Sequence, residues 1–169
     1  MKKGINEIFF QNKHVTILTL RRKSGADMYC TLSTSKYDLV KMHRWYANKG
    51  FNTFYCVAHI SNSKGIRTLL KMHKILLTSE LVDHVDRDGL NNQTHNLRPC
   101  TRSQNASNRG ILSNNTSGHR GVFWNKETNR WRALVRVNYK MKHLGYFENI
   151  KEACKTVEEA RKRYFGDFS

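Results

Sequence analysis

The densest chemistry in the chain lies between Asp83 and Asn105, where Asp83-His84-Val85-Asp86-Arg87-Asp88-Gly89-Leu90-Asn91-Asn92 is followed by His95-Asn96-Leu97-Arg98 and Ser103-Gln104-Asn105. Phosphodiester hydrolysis needs three things in one place. A hard cation must grip the phosphate and the leaving oxygen, a base must activate water, and a further group must orient that base. An aspartate carboxylate with an asparagine amide oxygen suits magnesium, which takes oxygen ligands and keeps several waters. A neutral histidine near its ordinary pKa suits the base. Few short segments supply all three.

The elements around these residues must bring them together. Val82 and Val85 flank Asp83-His84 on a predicted strand, so the two side chains leave opposite faces. Asp-Arg-Asp-Gly and Asn-Asn are loop and turn signals. Asn96-Leu97-Arg98-Pro99 reads as a short return strand, and Thr101 or Ser103 can cap a helix carrying Asn105. Asp86 and Asp88 read as turn-formers in a solvated loop, and His59 and His95 as ordinary surface or partly buried residues. His73 either packs beneath the site or touches a phosphate.

Taken together, Asp83-His84, Asp88-Gly89-Leu90-Asn91-Asn92, Asn96-Leu97 and Gln104-Asn105 resemble the HNH nuclease motif. More narrowly, they are similar to phage and intron-borne homing endonucleases whose third motif residue is asparagine rather than histidine. His73-Lys74-Ile75-Leu76 resembles the segment that precedes the motif in that family, so the likeness runs from about His73 to Arg109. It implies a ββα-metal core with Asp83 and Asn105 as metal ligands and His84 as general base. Asn96 would hold His84 or the loop through hydrogen bonds. The implied cofactor is a divalent metal, magnesium with manganese able to substitute. With Asn105 in place of a final histidine, hard metals are favoured over zinc.

The C-terminal stretch carries a second pattern. Strands are predicted at His119–Trp124, Trp131–Val137 and Lys142–Phe147, before one amphipathic helix bearing Ile150, Ala153, Cys154, Val157, Ala160, Arg161 and Tyr164. Asn149 and Glu152 form a capping-box pattern at its start. Residues 119–143 hold seven cationic side chains against one acidic, whereas 144–169 hold five of each, so the charge belongs to the sheet. Along Arg130–Val137 the apolar Trp131, Ala133, Val135 and Val137 alternate with Arg130, Arg132, Leu134 and Arg136. One face would pack on the helix while the other offers guanidinium groups to a DNA groove. Ser117-Gly118-His119-Arg120-Gly121-Val122, Trp131-Arg132-Ala133, Arg136, His143-Leu144-Gly145-Tyr146-Phe147, Glu152-Ala153, Ala160 and Phe165-Gly166 resemble the Apetala/ethylene-response DNA-binding domain, which also occurs fused to HNH nucleases. That resemblance implies DNA contacts by Arg120, Arg130, Arg132 and Arg136, with Lys142, His143 and Met141 on the third strand. Trp124 either stacks on sugar or packs in the core.

The remainder reads as scaffold. Strands are expected at Val15–Leu20 and Met28–Thr34 around a turn at Ser24-Gly25, then a helix over Lys36–Asn48 opened by Ser35 and stopped by Gly50. A hairpin Phe54–Ile60 and Ile66–Leu70 around Asn62–Gly65 leads into a short helix through Ile75–Leu77. The expected fold class is α+β, divided as a mixed β/α scaffold (1–78), an HNH core (79–112), a linker (113–118) and a three-stranded antiparallel sheet on one helix (119–169).

Global properties bound these readings. The 169 residues carry a net charge of +17, which points to a polyanionic partner. Double-stranded DNA is that expected partner, with no obligate protein partner implied. Only 38% of residues are hydrophobic, yet 8 Phe, 7 Tyr and 3 Trp can anchor small cores, which a disordered basic tail would lack. Cys30, Cys56, Cys100 and Cys154 stand far apart with no C-x-x-C pair, so they read as reduced, small apolar residues and no structural zinc is expected. No apolar run approaches the ~20 residues of a membrane span, and Met1-Lys2-Lys3 opens no signal peptide. Secretion and membrane insertion are therefore disfavoured, and a cytoplasmic protein of a bacterial host, phage-encoded, is expected. The expected activity is that of a site-specific homing endonuclease nicking one strand per monomer. Its rivals are a catalytically inactive DNA-binding regulator and a ribosomal protein.

Overall fold

Period-two alternation of β-branched and apolar residues sets strands at Val15–Leu20 and Met28–Ser33, within one residue of the expected bounds. The structure, a computed structural model, describes residues 6–22, 25–61, 63–111 and 114–168; Met1-Lys2-Lys3, Ser24, Asn62 and Ser113 lie outside the described residues. The chain divides into two compact units, 1–100 and 101–169, and both are mixed α+β. No described helix is long and apolar enough to cross a membrane.

In the first unit the strands follow in chain order as β1 (Ile8–Gln11), β2 (Val15–Leu20), β3 (Met28–Ser33), β4 (Tyr46–Lys49) and β5 (Phe54–Ser61). Then come β6 (Arg67–Lys71), helix α1 (Met72–Leu76), β7 (Val82–His84), β8 (Asn91–Asn92) and β9 (Leu97–Pro99). One sheet has the order β1-β2-β3-β8, a second β4-β5-β6, and β7 pairs with β9. Among the described residues the β3–β8 pairing alone is parallel, setting Thr31 and Leu32 against Asn91 and Asn92. A single core of Leu18, Leu32, Val40, Trp45, Met72, Val82 and Leu97 with their neighbours ties α1 and the β7–β9 hairpin to both larger sheets. Burial of this set supplies the cohesion that such short elements lack alone.

The helix expected over Lys36–Asn48 is not formed. A 3-10 turn covers Thr34–Leu39, its N-cap residue is Ser33 rather than Ser35, and Tyr46–Lys49 is strand β4. Two buried side chains explain the difference. Val40 and Trp45 both enter the core, and Trp45 Nε1 donates to Val40 O at 2.8 Å, which folds the segment back on itself. Gly50 begins a hairpin turn, its N–H donating to Thr53 O at 2.8 Å, instead of ending a helix. Strand β1, with all four residues exposed, escaped notice because its Ile8-Phe9-Phe10-Gln11 has no polar alternation.

The second unit comprises α2 (Arg102–Ser107), β10 (Val122–Asn125), β11 (Arg130–Val137), β12 (Lys140–Phe147) and α3 (Ile150–Phe165). The three strands form an antiparallel sheet in the order β10-β11-β12, packed on α3 through Val122, Ala133, Ala153 and Val157. Asn149 caps α3 by accepting the Lys151 N–H, not through the expected partnership with Glu152. The boundary between units falls inside the 79–112 stretch, so α2 belongs with the C-terminal sheet.

Candidate functional site

In the first unit the β7–β9 hairpin places the two acidic-motif side chains on opposite faces, as alternation requires. Register sets Asp83 across from Arg98 and His84 across from Leu97. Arg98 Nε and Nη2 both donate to Asp83 Oδ2, at 2.9 and 2.8 Å, and Asp83 is only 4% exposed. Both donors converge on one carboxylate oxygen, which fixes the orientation of the carboxylate. Arg98 is a site residue that sequence reasoning passed over, although its cross-strand place follows from the hairpin.

His84 turns the other way, into an aromatic nest. Its ring lies 5.0 Å from His73 and 5.9 Å from Tyr55, centroid to centroid, and Tyr55 and His73 are 5.8 Å apart. His73 is buried and packs against His84, an arrangement that agrees with its packing reading. Burial, then the neighbouring His84, Lys71 and Lys74, push its pKa down to about 3, so it stays neutral. Burial also lowers the pKa of His84, opposed by Asn92 and by the carboxylates of Asp86, Asp83 and Asp88. The result is an imidazole held in its neutral, proton-accepting form at neutral pH.

The loop between the strands is stitched by asparagines. Asn96 Nδ2 donates to Asp86 Oδ1 at 2.9 Å and to Asn91 O at 2.8 Å, and its Oδ1 accepts the Asp86 N–H at 3.0 Å. Of the two expected employments of Asn96, these bonds serve the loop. Asp86 also accepts from Asp88 N–H and Asn91 Nδ2, while Asp88 accepts from Leu90 N–H, so both are turn-formers. Burial pushes the Asp86 carboxyl up, but these hydrogen bonds and nearby His84 outweigh it and hold it below its usual value. Asn92, 1% exposed, donates to Cys30 Sγ and Gly89 O, pinning β8 beneath the site. Gly89 lets the loop lie against Phe54 and Tyr55: a Cβ there would stand 2.5 Å from Phe54 O and from the Tyr55 ring.

In the second unit Asn105 rides on α2, whose N-cap Thr101 completes a capping box with Gln104. Among the described residues no group of three or more His, Cys, Asp and Glu side chains converges as a metal site. Asp83 lies in the first unit and Asn105 in the second; by donor chemistry alone, one carboxylate and one carboxamide would suit a magnesium ion that keeps most of its water.

The sheet's register sorts the expected DNA contacts. Residues paired across strands share a face. Arg132 pairs with Phe123 and Tyr146, Leu134 with His143, and Arg136 with Met141, so Arg130, Arg132, Arg136 and His143 share the face away from α3. Arg130 and Arg136 are exposed, and Arg132 Nε is buried without a hydrogen-bond partner among the described residues. Three other residues expected to touch DNA lie off that face. Lys142 pairs with Val135 on the helix side, its Nζ 5.0 Å above the Tyr164 ring. Trp124 pairs with Trp131 on that same side, rings 5.1 Å apart, yet it is 44% exposed, so both its packing and its stacking readings stay open. Arg120 is drawn to α2, where its guanidinium donates to the carbonyls of Ala106, Ser107 and Arg109. Alternation cannot foresee that capping role, because the helix end it serves lies more than ten residues upstream.

Two proteins give the sequence a wider setting. A protein named as an uncharacterized HNH endonuclease, from Acanthamoeba polyphaga mimivirus, is 28% identical over 165 residues, 95% of this chain and 83% of that protein. Protein 3.8 of Escherichia phage T7 is 31% identical over 88 residues, 52% of this chain and 72% of that protein. No protein-family model matches the chain, and no solved structure matches it.

Proposed function

The chain belongs to one family with Protein 3.8 of Escherichia phage T7 and is a distant homologue of an HNH endonuclease, and from that premise we propose that it is a magnesium-dependent DNA endonuclease of the homing type. The observation that carries the reading is a neutral, buried His84 that follows a clamped Asp83 on a hairpin whose loop Asn96 pins. Asp83 and Asn105 would hold the cation. When bound it would neutralise charge on the scissile phosphate and the leaving oxygen.

His84 takes the proton of the attacking water, as its neutral ring permits. Tyr55 and His73 fix the ring's attitude by packing and exclude bulk solvent from its inner side. Arg98 orients Asp83, and Asn96 keeps the 86–91 loop from swinging across the water's approach. Arg130, Arg132, Arg136 and His143 present the duplex-binding face, where arginine suits both phosphates and guanine edges. One cation site per chain means one strand cut per monomer. The working compartment would be the bacterial cytoplasm.

The Asp83–Arg98 pair would also suit a protein that only binds DNA, since it leaves the aspartate satisfied without metal. Nicking of supercoiled plasmid with and without magnesium separates the two. The endonuclease nicks only with magnesium and falls silent as His84→Ala, whereas a regulator retains binding and never nicks.

A further inference from the structure

Helix α2 has six residues, too few to persist without tertiary support. Its last carbonyls have no partners within the helix, and it has no basic residue in its own last turn to offset the negative end. Two arginines from the C-terminal module fill that gap. Arg120, between the linker and β10, donates to Ala106 O, Ser107 O and Arg109 O. Arg161, on α3, donates to Ser107 O at 3.1 Å. At the other end the Asn138 N–H, in the turn between β11 and β12, reaches Ser103 Oγ at 3.3 Å. Ser107 and Asn108 are buried by this arrangement.

We infer that Arg120 and Arg161 are positioning residues for cleavage: by clamping the C-terminal carbonyls of α2 they fix where Asn105 presents its carboxamide oxygen. This rests on the reading of Asn105 as a metal ligand. The same sheet and helix that would dock on DNA thus carry one ligand of the cation, and neither arginine needs to touch DNA or substrate. A displacement of about 1 Å in a catalytic group costs up to a hundredfold in rate, so loss of the clamp should be felt in catalysis before it is felt in binding.

The test uses the full chain as Arg120→Ala, Arg161→Ala and Arg161→Lys. Hydrogen exchange, without metal or DNA, reads the amides of Asn105 and Asn108, which bond to Thr101 O and Gln104 O. In the alanine variants they should exchange about tenfold faster while α3 and β11 keep their protection; Arg161→Lys, still a donor, should restore most of it. In nicking assays the magnesium midpoint should rise about tenfold, with duplex affinity in EDTA within about threefold of wild type. Adding Asn105→Ala to Arg120→Ala should cost nothing more, because the ligand is already misplaced. Unchanged α2 exchange overturns the proposal. So does a loss of duplex affinity that matches the loss of nicking at an unaltered magnesium midpoint, or strict additivity with Asn105→Ala. A wild-type chain that never nicks with magnesium removes the nuclease reading, and the positioning role with it, a result distinct from any behaviour of the variants.

Discussion

At the scale of single residues, His84 and His73 make opposite uses of one environment. Burial holds both neutral, but only His84 sits beside the acidic loop that partly restores its basicity. A base is active when unprotonated, so single-turnover nicking should rise with pH through a midpoint below the ordinary 6.5 and then level off. His84→Ala should lower the plateau by about 10²–10⁴ with DNA affinity retained. Asp83→Ala should cost at least as much, because the cation goes with it. His73 instead writes its burial into stability. The unfolded chain protonates it near 6.5, the folded chain only near 3, so its contribution is whole above 6.5 and is lost as pH falls toward 3. Urea denaturation should show up to roughly 2 kcal/mol lost on this account between about pH 6.5 and pH 5, and His73→Leu should reduce that sensitivity to the share left by His84. The side chains proposed to react stand out in the sequence because phosphodiester chemistry restricts both residue type and spacing. Tyr55, Asn92 and Arg98 were not, because their roles depend on which strands meet.

At the scale of elements, legibility followed the source of each element's stability. Strands β2, β3, β5 and β6 announce themselves by alternation, and the C-terminal sheet and helix by period. The 36–48 segment has helix-like spacing at Leu39, Val40, His43 and Tyr46, yet Leu39 is half exposed while Val40 and Trp45 are fully enclosed. Tertiary burial of two side chains overrode local spacing, the ordinary way such readings fail. Where an element has no side chain to spare, a glycine can matter more than a helix. Gly89 brings the acidic loop onto Phe54 and Tyr55, and Tyr55 in turn packs on His84. Gly89→Ala should therefore destabilise the protein by about 1–3 kcal/mol, read from urea unfolding, and should slow nicking through the displaced ring. Normal stability with normal nicking would show that the loop yields freely.

At the scale of the whole molecule, the charge of +17 is unevenly placed, and that placement makes a quantitative claim. The face bearing Arg130, Arg132 and Arg136 carries cations that face no helix, whereas Lys142 lies against Tyr164 and Arg120 serves α2. Polar residues at 113–118 read as a linker, while α2, upstream of them, is held to the sheet and helix of the second unit by arginines on later elements. Counterion release converts the placement of charge into a slope. If about seven phosphates are neutralised, log affinity should fall against log salt with a slope near −6. Arg136→Ala should weaken binding to all duplexes alike if it meets a phosphate, and should reduce the slope by about one. It should instead relax sequence preference, with the slope unmoved, if it reads a base edge. Arg120→Ala should leave the slope as it is, since its charge is directed at carbonyls of its own chain. Fluorescence anisotropy on a labelled duplex over a range of potassium concentrations distinguishes these outcomes, and an Arg120→Ala slope shallower by one would return that residue to the DNA face.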